Sequence, residues 1–341
     1  MVAPDPDETR RPVTAAAAPS HTHRSADPRL LAQVRHPRPW PGAVLAALLG
    51  WVALGVALGL SVGIVDAVTR AFGADRVLPA VLQAVLMSAL AVPAVAVLRR
   101  RMDRRSLRSM GLARRMGRPL ALGAGVGAVT GALVWMPAGA LGWIRVDDVD
   151  LLGFLGFLLL NGVVLALYEA IPEELALRGH VWTNLRDGLG LVAATILTTA
   201  LFPLIGVVVS PVRALVAVVT GGDPLPFAVF PAGMDPIVYV VQLALFGLAL
   251  VAARRIPVEG ALLVAVAFHW TQLTVTRLVF GGTGWAPSGW DVAFVEPDAI
   301  ALVLVHIVLA GLVFVAVRVA LQARGRGRAA AGKRLGTGEP R

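Results

Sequence analysis

Eight stretches of the chain, at about 42–65, 78–98, 119–142, 151–175, 189–210, 236–252, 257–281 and 299–321, are almost free of charge and long enough to carry a helix across hydrocarbon. Nothing else in the sequence constrains the fold as tightly. Inside a bilayer every backbone N–H and C=O must find its partner within the chain, so runs of this length predict helices. Together they predict an all-α polytopic membrane helix bundle of about eight transmembrane helices. A soluble domain of 341 residues could not cover a sequence that is 57% hydrophobic.

The formal charge of +10, carried almost wholly by arginine, tests this reading. If the spans alternate in direction, one side receives "RRRMDRRSLRSMGLARRMGR" (99–118), Arg186, the pair Arg254 and Arg255, and the terminal "QARGRGRAAAGKRLGTGEPR". The other receives "RVDDVD" and "GGTGWAPSGWDVAFVEPD", which are acidic or neutral. Cationic loops are retained in the cytoplasm, so both termini are expected there, in what we expect to be a bacterial plasma membrane. The arginine excess is then a topology signal: the expected partner is the lipid bilayer, and no nucleic acid. Leu107, Met110, Leu112 and Met116 would also let part of the 99–118 loop lie as an amphipathic helix on anionic headgroups.

Residues 1–41 lack periodicity and read as a disordered cytoplasmic tail, with solvated His21, His23 and His36 and no cleavable signal peptide. Residues 42–322 form the transmembrane domain, and 323–341 a basic cytoplasmic tail. Within the domain, about 211–235 is broken by proline and glycine and reads as a loop or re-entrant insertion. Cysteine is absent, which excludes disulfides, thiolate metal ligands and cysteine nucleophiles.

Against this background "NGVVLALYEAIPEELALRGHVW" (161–182) is anomalous. Residues four apart share a helix face, so Glu169 and Glu173 stack, with Asn161 further back on the same stripe, and Glu174 stacks with Arg178 in the order favourable to an ion pair. Glu173 is left without a local partner; a carboxylate in a dry setting that water can reach is a competent general base. Pro172 is expected to bend the helix toward the bundle interior. Two histidines lie in other spans. His306 reads as a hydrogen-bonded packing residue, whereas His269 falls near mid-membrane with Thr271 and Gln272 close by.

The run Glu173-Glu174-Leu-Ala-Leu-Arg178-Gly179 resembles the first motif of the CAAX prenyl endopeptidase and bacteriocin-processing (CPBP, abortive-infection-like) family. "YVVQLALFGLALVAARRIPVEGALLVAVAFHW", with its central Gly247 and terminal His269, is similar to that family's later signature, and the likeness covers about residues 105–275. It implies an eight-helix intramembrane endopeptidase whose catalytic groups are reached from the cytoplasm and whose substrate is a membrane-associated peptide or protein. It implies further that Glu173 activates the hydrolytic water, that Glu174 and Arg178 position helix and base, and that His269 stabilises the oxyanion; Glu169, Gln272 and Phe202 are auxiliary candidates. Metal dependence is open, zinc being the divalent ion to consider.

Two positions depart from the pattern. Phe202 should be followed four residues on by a water-holding histidine, but Gly206 stands there, and the residue four after His269 is Leu273 rather than asparagine or aspartate. They leave two rival readings: a catalytically inactive relative acting as a membrane binding or scaffold protein, and a proton-coupled transporter using Glu169, Glu173 and His269 as a relay.

Overall fold

The computed structural model describes residues 37–73 and 75–336; His21, His23 and His36, and most of the expected amino-terminal tail, lie outside them. The chain is all-α: α1 (Trp40–Phe72), α2 (Val77–Val97), α3 (Gly117–Ala140), α4 (Leu151–Leu189), α5 (Leu191–Leu201), α6 (Gly206–Val219), α7 (Pro236–Arg254), α8 (Ala261–Val279) and α9 (Leu302–Gly336). Short antiparallel pairs supplement the helices: β1 (Ile144–Val149) with β4 (Trp290–Phe294), and β2 (Gly282–Thr283) with β3 (Ala286–Pro287).

Among the described residues seven helices are long and apolar enough to cross a membrane, and α5 with α6, bent by 50° at Pro203, makes an eighth when the halves are taken together. Segment 211–235 divides: residues up to Val219 continue α6, and only the remainder is loop. That loop folds back along α6, where Ala228 N–H donates to Ser210 Oγ at 2.9 Å. Residues 99–118 hold no amphipathic helix long enough to lie on headgroups, only a π turn (Leu98–Met102) and a 3₁₀ turn (Leu107–Met110). At the other terminus, α9 runs on through 323–336.

Lipid removes the hydrophobic reason for apolar helices to associate, so close backbone approach and dispersion must supply it. Two glycine ladders do so. Gly55, Gly59 and Gly63 on α1 form a groove for Val208, Val212 and Val216 of α6; a Cβ on those glycines would lie 2.6, 2.7 and 2.9 Å from the valine Cβ atoms. On α3, Gly123, Gly127 and Gly131 admit α8, with a Cβ at Gly127 falling 3.0 Å from Thr271 Cβ. The second ladder seats the helix that carries His269. His306 Nε2 donates to the Gly127 carbonyl at 3.0 Å and ties α9 to the same face, the packing role expected of it.

The two ends of the bundle differ chemically. At one end Asp103, its side chain fully buried, accepts from Arg38 (2.7 Å), Arg99 (2.9 Å) and Asn184 (2.9 Å), with His180 Nδ1 at 3.4 Å. Arg254, also fully buried, stacks 5.4 Å from the Trp182 ring and donates to the Met110 carbonyl at 2.9 Å. The opposite end holds the β pairs, the loop before α2 and the 220–235 loop.

Candidate functional site

Helix α4 is not uniform. Pro172 lacks an N–H and its ring would crowd the carbonyl four residues back, and the helix absorbs this by widening into π turns at Ala166–Ala170 and Glu174–Val181, on either side of the proline. Each widened turn takes an extra residue and rotates the residues beyond it by about 100° relative to a regular helix. Glu174 faces a different way from Glu169 and Glu173, which remain electrostatic neighbours.

Glu174 turns into the core, where neither it nor Arg178 is exposed. Its Oε1 accepts from Arg178 Nη1 at 2.9 Å and lies 3.1 Å from His269 Nδ1. Since a carboxylate only accepts, Nδ1 carries the proton of that bond. The Nε2 edge then bears a lone pair if the ring is neutral and an N–H if it is cationic. Aromatic rings hold the assembly: the Arg178 guanidinium sits 4.6 Å over Phe202, and Phe246 meets the His269 ring edge-on at 4.9 Å. Glu174 Oε2 and Arg178 Nε and Nη2 have no protein partner, the kind of polar remnant that internal water satisfies.

Glu173 is half-buried and makes no hydrogen bond or ion pair with the described residues, although Glu169, Arg178, Glu174 and Arg277 all act on it electrostatically. Glu169 is ion-paired with Arg277, whose Nη1 also donates to Asn161 Oδ1 at 2.9 Å. Of the sequence candidates, then, the structure joins Glu174, Arg178, His269 and Phe202 in one buried cluster and places Glu169 in another. The imidazole contacts Glu174 and makes no bond to Glu173. Gln272 stays apart: its Nε2 donates to Thr276 Oγ1 one turn along its own helix at 3.1 Å. Leu273 packs as an ordinary apolar residue.

Gly206, the position where the resemblance calls for histidine, is closed. A Cβ there would fall within bonding distance of the Val229 carbonyl oxygen and 2.7 Å from its carbon, so the returning 220–235 loop occupies the space an imidazole would need. Nor do the neighbouring donors suit zinc: Glu169 and Glu174 are engaged by guanidinium groups and His269 Nδ1 by Glu174. No group of three or more His, Cys, Asp or Glu able to hold a metal occurs among the described residues.

Sequence reasoning passes over Arg277 and His180. Arg277 is visible as a single charge inside an apolar span, and such a residue needs a partner. His180, buried with Nε2 donating to the Ala46 carbonyl at 3.0 Å, lies just beyond the expected end of the fourth span, which the structure extends to Leu189.

Bundle and buried charges define an integral membrane protein of the helical class. Comparison with protein-family models, curated proteins and solved structures found no match to the chain.

Proposed function

We propose that the chain is an intramembrane endopeptidase of the CPBP type its sequence resembles, hydrolysing a peptide bond of a membrane-associated peptide or protein. One observation carries the reading: an unpaired carboxylate, Glu173, adjoins a locked Glu174–Arg178–His269 triad inside an apolar bundle. Charges at such depth are costly and mark function unless paired, and Glu173 alone of the three acids is unpaired. Glu173 takes a proton from water as the water oxygen bonds to the amide carbon. The resulting oxyanion is met by the His269 imidazole, whose ring Glu174 orients through Nδ1. The C–N bond then breaks and the proton on Glu173 passes to the leaving amine. Glu174 and Arg178 are positioning residues, and no step is assigned to a metal. By the distribution of arginine, we take the Asp103 end as cytoplasmic and the membrane as a bacterial plasma membrane.

The test is cleavage of a library of membrane-anchored reporter peptides by protein in liposomes. Glu173→Gln should lower turnover by about a hundredfold or more, as loss of a general base does, with no fall in unfolding temperature. Equal turnover by Glu173→Gln and wild type overturns the assignment.

A second reading has its own support in the Val229 carbonyl that closes Gly206: a relative without its water-holding imidazole, binding membrane peptides without cutting them. Wild-type protein that captures reporters from the library and leaves them intact would favour it.

A further inference from the structure

A cavity of about 200 Å³ opens at the end of the bundle opposite Asp103, lined chiefly by Arg76, Gln83, Tyr168, Glu169, Arg277 and Trp285. Its rim is loop: Arg76 Nη1 donates to the Gly284 carbonyl at 3.2 Å, and Trp285 comes next in the same turn between β2 and β3. The cavity is thus bordered by loop at its rim and by α2, α4 and α8 further in. At its floor the Arg277 guanidinium bridges Glu169 and Asn161, and Glu173 lies one turn further along α4, about 6 Å deeper at the rise of a helix. At the Asp103 end, among the described residues, Arg38, Arg99, Asp103, His180 and Asn184 bond across the end of α4.

Among the lining residues Arg76 and Arg277 face one carboxylate, Glu169, with Glu173 behind that pair, and Arg76, nearest the rim, has a backbone carbonyl as its hydrogen-bond partner. We propose that this cavity is an acceptor site for an acidic peptide segment presented from the side of the membrane opposite the arginine-rich face, with the Glu169–Arg277 pair as the gate between that segment and Glu173. An incoming carboxylate competes with Glu169 for the Arg277 guanidinium. Opening the pair in that way gives it access to the turn of α4 that carries Glu173. Gln83 and Tyr168 supply amide and phenol groups suited to a peptide backbone, and the volume suits one acidic side chain and its peptide unit. The proposal rests on the hydrolase reading only for the fate of the bound segment; side of access and charge selectivity stand without catalysis.

Because the chain contains no cysteine, single-cysteine variants report the site cleanly. Ala80→Cys, on the cavity wall, and Gln83→Cys as a second reporter should be compared with Arg101→Cys on the arginine-rich face, in sealed vesicles of both orientations. Membrane-impermeant methanethiosulfonates bearing a sulfonate or a trimethylammonium group serve as probes. We expect the cavity cysteines to react in the orientation that protects Arg101→Cys. The sulfonate should react faster than the cation at low salt, by up to about sevenfold, the ratio that the Arg76 charge about 7 Å away gives in water when the deeper Arg277, Glu169 and Glu173 charges largely offset one another. Adding Arg277→Gln should abolish or reverse that preference, and a tetra-aspartate peptide should slow labelling where a tetra-lysine peptide does not. Labelling from the same side as Arg101→Cys, a preference for the cation, or no labelling of either reporter overturns the proposal. So does protection by anionic phospholipid in place of acidic peptide, which would assign the cavity to a headgroup. Absence of peptide cleavage by the wild type would leave each of these outcomes unchanged and count only against hydrolysis.

Discussion

Gly206 and Gly247 offer the same chemical change with opposite expected signs. Both have helical surroundings, and Gly206 has φ −57 and ψ −24, so its backbone makes no demand for glycine. Glycine inside a helix costs about 0.5–1 kcal/mol relative to alanine, and Gly247→Ala should recover about that much. The new methyl would meet Arg178 Nη2 and Thr199 Cγ2 at 3.5 Å and Phe202 Cδ1 at 3.6 Å, all ordinary contacts. Gly206→Ala gains the same propensity term but drives its methyl into the Val229 carbonyl, whose carbon would stand at 2.7 Å and whose Cα at 3.1 Å. Backbone cannot rotate aside as a side chain does, so the 220–235 loop must lift, at about 1–3 kcal/mol for a forced overpacking. The net expectation is destabilisation of about 1–2 kcal/mol for Gly206→Ala and stabilisation of up to about 1 kcal/mol for Gly247→Ala. Thermal unfolding in detergent, monitored by tryptophan fluorescence, reads both. Limited proteolysis across 220–235 should be faster in Gly206→Ala alone. Equal stability and equal proteolysis for the two variants would refute the claim that the loop is seated on Gly206. The same geometry means that Gly206→His would displace the loop before it could supply a ligand, so the substitution alone should not increase cleavage.

Removing one partner of a buried ion pair strands the other, so Arg178→Met should cost about 3–5 kcal/mol, and Arg178→Met with Glu174→Gln should recover much of the loss; additive costs in that double-mutant cycle would show that the pair is not coupled. Burial acts against ionisation of Asp103, but the Asn184 donor, His180, Arg38 and Arg99 outweigh it and hold the carboxyl below its ordinary value. A depressed carboxyl lends stability that is present above its unfolded pKa, about 3.9, and is lost as pH falls through the lower folded value. The unfolding-temperature gap between wild type and Asp103→Asn should therefore be full at pH 6 and shrink below about pH 4, and a gap unchanged down to about pH 2.5 would contradict the network's role.

Helix number and the Glu174–Arg178 pair were legible because both depend on local spacing: a run of apolar residues long enough to span, and an acid four residues before a base. The partner of His269 was not. Choosing between adjacent glutamates requires the rotational phase of α4 where it meets α8, and that phase is reset twice, by the π turns on either side of Pro172. A regular helix through 161–178 puts Glu169 and Glu173 on one stripe; the observed helix sends Glu174 to the imidazole and Glu169 to Arg277. Pro172 signalled a disturbance here, and it is seen as the π turns on either side of it. The closure of Gly206 was beyond local reading altogether, because the atom that fills its space belongs to Val229, on a loop whose return path no spacing rule encodes.

Glu169 and Glu173 remain electrostatic neighbours and Arg277 acts on Glu173 as well, but its guanidinium is hydrogen-bonded to Glu169 and Asn161. Each of the other two acids has a cation, Arg178 for Glu174 and Arg277 for Glu169, and among the described residues Glu173 is hydrogen-bonded to none. A sequence selected only for a stable bundle has no reason to keep a carboxylate in that position, since glutamine or leucine at 173 would spare the desolvation. Replacing Glu173 with glutamine should therefore hold or raise the unfolding temperature while abolishing whatever chemistry or binding the site performs. A fall in unfolding temperature comparable to that of Arg178→Met would show that Glu173 is a structural residue.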